Sequence, residues 1–127
     1  MTNLYWDISP LNHKFYILTA SIGRPLGSFG GDPPSKTIVF TTDIDADNFR
    51  QFVSEILDTA EGDTSRIKVD YDNGFDSGSP AVIAQVDGEI FTYTEGDDNK
   101  YIVQESCKML NWIIENLPVE NLRDEEY

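Results

Sequence analysis

The 127-residue sequence has one cysteine, one histidine, only nine lysines and arginines, and no long uncharged apolar run. The lone Cys107 excludes an intramolecular disulfide framework and suits a reducing compartment, so the cytoplasm is the expected location. With His13 as its only possible companion, it cannot supply a structural zinc site of the usual Cys/His kind. The missing apolar run argues against a membrane-spanning helix. Met1–Asp7 also lacks the basic start and apolar stretch of a signal peptide. The shortage of bases weighs against nucleic acid as a direct partner, because Lys and Arg must neutralise phosphates and here nine of them face 23 acids. Anionic membranes are disfavoured for the same reason.

What is present is a foldable composition. With 39% hydrophobic residues and 15 aromatics, the chain is too apolar for a disordered acidic tail. Its length suits one domain over residues 1–127, burying about two-thirds of the unfolded chain's surface. No internal sequence repeat or low-complexity tract interrupts it. The formal net charge of −14 is unevenly spread: residues 1–36 sum to +1 and residues 37–127 to −15.

Residues Leu4–Ile8, His13–Ile22 and Lys36–Thr42 read as strands, the first two joined around Ser9-Pro10-Leu11-Asn12, where Pro10 supplies the fixed φ of a turn. Residues 24–35 hold three Pro and three Gly, which suits a loop. Phe49, Phe52, Val53, Ile56, Leu57 and Ala60 recur on one helical face, and Gly62 supplies the stop. Arg66–Tyr71 alternates as a strand. Ala81–Thr94 reads as a hairpin with Asp87-Gly88 at its tip, pairing Val82 with Tyr93 and Ala84 with Phe91. A last helix spans about Asn99 to Leu117 and is ended by Pro118, before an acidic tail at 119–127. The order β-β-β-α-β-β-β-α predicts an α+β domain, with an antiparallel sheet of five to six strands and two amphipathic helices on one face.

Motifs for chemistry are weak. Asp43-x-Asp45-x-Asp47 resembles the opening of a calcium loop, but Asn48 and Ser54 stand where that loop needs Gly and Glu. Helix-starting acids explain the run more simply. Gly74-Phe-Asp-Ser77-Gly78 misplaces its serine for a nucleophile elbow. Gly27-Ser-Phe-Gly30-Gly31 lacks the Gly-Lys-Ser/Thr ending of a phosphate loop. No catalytic residue and no cofactor is therefore expected.

Two features point to binding. Asp70, Asp72, Phe75 and Asp76 interleave carboxylates with an aromatic, and Glu95, Asp97 and Asp98 add a second acidic run. Tyr101, Glu105, Lys108 and Trp112 form a stripe on the last helix, off its apolar face, where Trp112 is either an interface anchor or a cover for the core edge. Carboxylates standing in for phosphates would attract a basic protein. The expected function is thus a non-enzymatic acidic inhibitor of the immunity, anti-defence or DNA-mimic type, directed at a toxin, nuclease or nucleic-acid-handling protein. Alternatives are a nucleotide-sequestering protein using Arg24 and Lys36, across an oligomer interface in one form, and a carboxylate or divalent-metal enzyme.

Overall fold

Backbone hydrogen-bonding groups and the alternation of apolar side chains divide the chain into eight principal elements. A computed structural model describes residues 4–25, 27, 33–73, 79–94 and 100–117. Strands β1 (Leu4–Pro10), β2 (Tyr16–Ile22) and β3 (Ser35–Phe40) precede helix α1 (Asp43–Thr59). After a 3₁₀ turn at Thr64–Arg66 come β4 (Ile67–Asp72), β5 (Ala81–Val86), β6 (Glu89–Tyr93) and helix α2 (Lys100–Asn116). The α+β class and the element order are those the sequence predicts.

The six strands do not join into one sheet. They form two antiparallel three-stranded sheets, β1-β2-β3 and β4-β5-β6. Each half of the chain is therefore a meander followed by a 17-residue helix.

Local chemistry sets the boundaries. The Asn12 carboxamide oxygen accepts from the backbone N–H of Lys14 (2.7 Å) and Phe15 (3.1 Å), so the first turn lies later than Pro10 and β2 starts at Tyr16. Pro10 closes β1, an edge strand that tolerates its missing N–H. The β5–β6 turn has positive φ at Asp87 (52°) and Gly88 (93°), and it sets the predicted register of Val82 with Tyr93 and Ala84 with Phe91. Thr42, rather than an acid, caps α1: its hydroxyl accepts from the Asp45 N–H at 2.9 Å. The helix stops where Glu61 and Gly62 turn to positive φ and the Gly62 N–H donates to the Leu57 carbonyl.

The core lies where both helices meet both sheets. The predicted face of α1 is buried from Phe49 to Ala60, and α2 buries Ile102, Val103, Met109, Leu110, Ile113 and Leu117. Helix α1 packs on its own sheet and on β5 and β6, while α2 packs on β4 and β5 and reaches back to β3. Phe49 joins the halves: its ring centroid is 6.3 Å from Phe40 of β3 and 5.2 Å from Tyr93 of β6, the latter edge-on. Phe52 adds a second contact to Tyr93 at 5.5 Å.

Among the described residues, one core position is polar without compensation. Ser106 is fully buried on α2, and its hydroxyl has no hydrogen-bond partner among the described residues. Ser106→Ala should raise stability by about 1 kcal/mol, since it removes an unpaired hydroxyl and improves helix propensity. Phe49→Ala should cost about 3–5 kcal/mol. Urea unfolding followed by circular dichroism measures both, and a destabilised Ser106→Ala protein would show that the hydroxyl is in fact satisfied.

Candidate functional site

The alternation of β4 turns Val69 and Tyr71 inward and leaves Lys68, Asp70 and Asp72 exposed on the outer face. The two predicted partner-binding acids Asp70 and Asp72 thus share one row on an edge strand. Phe75, Asp76, Glu95, Asp97 and Asp98 lie outside the described residues, as does the 119–127 tail.

Trp112 does not join these acids. It is half-buried and packs against the core. The side of α2 that faces Tyr71 carries Cys107 and Asn111, and Trp112 lies about 140° around the helix axis from Cys107. Within its stripe, the Lys108 ammonium bonds the Glu105 carboxylate at 3.1 Å, while Tyr101 stands 67% exposed.

Between β4 and α2 runs a groove of about 270 Å³, lined by Tyr71, Gln104, Cys107, Lys108 and Asn111. Burial pushes the Cys107 thiol above its ordinary pKa and the nearby Asp70 charge adds to this, while a contact from the Asn111 amide at 3.6 Å partly opposes it. A thiol in such surroundings stays protonated at neutral pH, unlike a catalytic nucleophile. His13 is exposed in the β1–β2 turn, on the other sheet.

The calcium-like run resolves as the first turn of a helix. Residues two apart on a helix point about 200° apart, so Asp45 is turned away from Asp43 and Asp47. Asp47 accepts from Arg50 Nη2 (2.8 Å) and Nε (3.0 Å) and from the Gln51 amide (2.8 Å). Among the described residues, no three His, Cys, Asp or Glu side chains stand together to hold a metal ion. The three aspartates do not converge as the calcium-like spacing would need: Asp43 and Asp45 favour the positive end of the helix dipole, and Asp47 is held by Arg50 and Gln51.

A larger pattern on α1 is one that residue-by-residue motif reading misses. Asp43, Asp47 and Glu55 fall at four-residue steps with Gln51 between them, and Asp58 stands beside them on the solvent side. They make a row of carboxylates about 22 Å long. Arg50 is the one base in this helix. The signal was available as polar periodicity opposite the apolar face.

Comparison with protein-family models, with curated proteins and with solved structures finds no match to this chain.

The cations are arranged less favourably for holding an anion. Arg24 is half-exposed just after β2 and already has an interaction partner, and Lys36 lies in β3 opposite Ala20. Residues 26 and 28–32 of the intervening loop lie outside the described residues. A shallow cavity of about 410 Å³ is lined in part by Ser65, Arg66 and Lys68. Its Arg66 guanidinium bonds the Asp87 carboxylate and the Ala60 carbonyl (3.0 Å) and approaches Glu61 at 3.5 Å. The Asp87 hydrogen bond and the neighbouring acids raise the Arg66 pKa further above its ordinary value. Its charge is therefore matched from within the chain.

The groove makes a reactivity prediction. Cys107 should react with iodoacetamide more slowly than a free thiol at pH 7.5, and Asp70→Asn should speed it, because the Asp70 charge adds to the upward push on the thiol. Unchanged reactivity in Asp70→Asn would place that carboxylate away from the thiol.

Proposed function

We propose that the protein is a non-enzymatic acidic binding module that occupies the basic surface of another protein. In this reading it is an inhibitor of the immunity, anti-defence or DNA-mimic type, acting on a toxin, nuclease or nucleic-acid-handling protein. The observation that carries the proposal is the carboxylate row on α1, fixed on a helix that is anchored in the core. Carboxylates held on a rigid element lose little conformational freedom when they meet Arg and Lys. Asp70 and Asp72 extend the acidic surface on β4. The long-range field of a −14 chain would speed encounter with a cationic partner. Trp112, being part of the core edge, takes no role as an anchor here.

The test is affinity capture from cell lysate at low and high salt, with mass spectrometry of the eluate. A basic nuclease, toxin or nucleic-acid-handling protein should be held at low salt and released at high salt. Glu55→Lys with Asp58→Lys should weaken that complex by about tenfold or more at low salt, as like charges replace complementary ones. Asp70→Lys with Asp72→Lys tests the second face in the same way. A partner indifferent to both reversals would overturn the assignment of these faces. A melting temperature raised by Ca²⁺, Mg²⁺, Mn²⁺ or a nucleotide, with no protein captured, would overturn the class.

A further inference from the structure

The register of the second sheet fixes where the backbone of β4 points. In the β5–β6 hairpin the two-residue turn makes Val86 and Glu89 a hydrogen-bonded pair, so Val82, Ala84 and Val86 turn their N–H and C=O groups toward β6. Ala81, Ile83 and Gln85 therefore bond the other neighbour, β4, through Asp72, Asp70 and Lys68. The N–H and C=O groups of Ile67, Val69 and Tyr71 are left facing away from the sheet, because β4 is an edge strand. The Ile67 N–H donates to the Thr64 carbonyl, which agrees with this register. Among the described residues, no backbone bond outside the strand ladders reaches Val69 or Tyr71. These two successive outward positions thus offer two donors and two acceptors.

The surroundings of this edge set it apart from the other three. Asp70 and Asp72 stand on its outer face, about 7 Å apart. The edge strands β1, β3 and β6 each carry a single charged side chain: Asp7, Lys36 and Glu89. On the inner side of β4 lies the groove of about 270 Å³ between Tyr71 and α2, where Gln104, Cys107 and Asn111 are uncharged and Lys108 is paired with Glu105.

We infer that β4 is a strand-addition site, where an extended segment of a cationic partner pairs with the free edge beside α2. This rests on the reading of the protein as an acidic binding module and names how that module holds its partner. Backbone bonds to Val69 and Tyr71 supply affinity, and side-chain alternation supplies selectivity. In an added strand every second side chain falls on the outer face beside Asp70 and Asp72, where Lys or Arg is matched. The side chains between them fall on the α2 side, where the groove takes small uncharged groups such as Thr or Val. Charge selects the occupant: a chain of net charge −14 draws a cationic segment to this edge and repels a second copy of itself.

The probe is a synthetic peptide of alternating Arg and Thr, as long as β4, titrated into the full chain at low salt and followed by fluorescence anisotropy and by NMR amide exchange. With peptide at about ten times its Kd, exchange of the Val69 and Tyr71 amides should slow by about tenfold, and that of β1 should not change. Methylating the peptide's backbone nitrogens at the Arg residues or at the Thr residues leaves its charge intact. One of these two sets should weaken binding by about tenfold or more, through loss of hydrogen bonds to β4, and the other by less than about twofold. Asp70→Asn with Asp72→Asn, both exposed, should weaken binding by about threefold or more. A peptide that binds while protecting neither amide, and that is indifferent to both methylations, overturns strand addition; charge alone then holds it, and the acidic-module reading stands. A peptide that does not bind at low salt overturns the inference as well, whereas the wider reading falls only if lysate yields no cationic partner. Protection of Val69 and Tyr71 in the free chain that grows with its own concentration would make a second copy the occupant and overturn the choice made here.

Discussion

Phe49 sits where the two halves of the molecule have to agree. The sheets form separate hydrogen-bonded units, so their relation depends on side chains, and Phe49 touches Phe40 on one and Tyr93 on the other. Helix α2 makes the converse crossing from β4 and β5 to β3. Each helix thus covers its own meander and grips the last strand of the other. An isolated three-stranded meander has one apolar face and nothing of its own to cover it fully. Reciprocal packing solves this for both sheets with two helices.

This arrangement dictates where the charge goes. The inner faces and helix stripes meet in one apolar cluster, leaving acids only the outer sheet faces, the solvent sides of the helices, and turns. Local pairing offsets a few of them: Arg50 with Asp47, Arg66 with Asp87 and Glu61, and Lys108 with Glu105. Exposed pairs of this kind contribute little stability. Their larger consequence is that Arg50, Arg66 and Lys108 are matched within the chain, which leaves the acids further in excess at the described surface.

Periodicity made much of this legible beforehand. The 3.6-residue repeat from Phe49 to Ala60 and the Asp87-Gly88 turn each have one structural solution, and both are found. The division into two sheets was not legible, because a two-residue alternation tells which face of a strand is buried but not which strand lies beside it. The turn expected over Ser9–Asn12 lies a few residues later, because the Asn12 carboxamide reaching the N–H groups of Lys14 and Phe15 decides the geometry rather than Pro10. At the candidate site, Asp70 and Asp72 were readable from alternation. Trp112 was ambiguous because its position on the flank of α2 is compatible with either exposure or burial until β3 and β4 are placed around the helix. Asp43 acts at two levels, favouring the helix start and opening the row that Glu55 and Asp58 continue, and a motif-sized window sees only the first.

The uneven charge of the chain then becomes a division of its exterior. Residues 1–36 supply two of the three strands in the first sheet, and the third, β3, contributes only Ser35, Thr37 and Val39 to the outer face. That face is nearly neutral because its strands come from the one region of the sequence where acids are few. The strongly acidic remainder supplies α1 and the second sheet, where the outward charges lie on α1 and β4 while β5 and β6 turn Ile83, Gln85, Ile90 and Thr92 to that face. Charge and apolar exposure are separated only in part: Ile44 stands 68% exposed between Asp43 and Asp45 on α1, and Ile90 is 63% exposed on β6. What the charge asymmetry separates is the density of acids, because the shared core around Phe49 fixes the acid-poor face of the first sheet and the acid-rich side of α1 on one body.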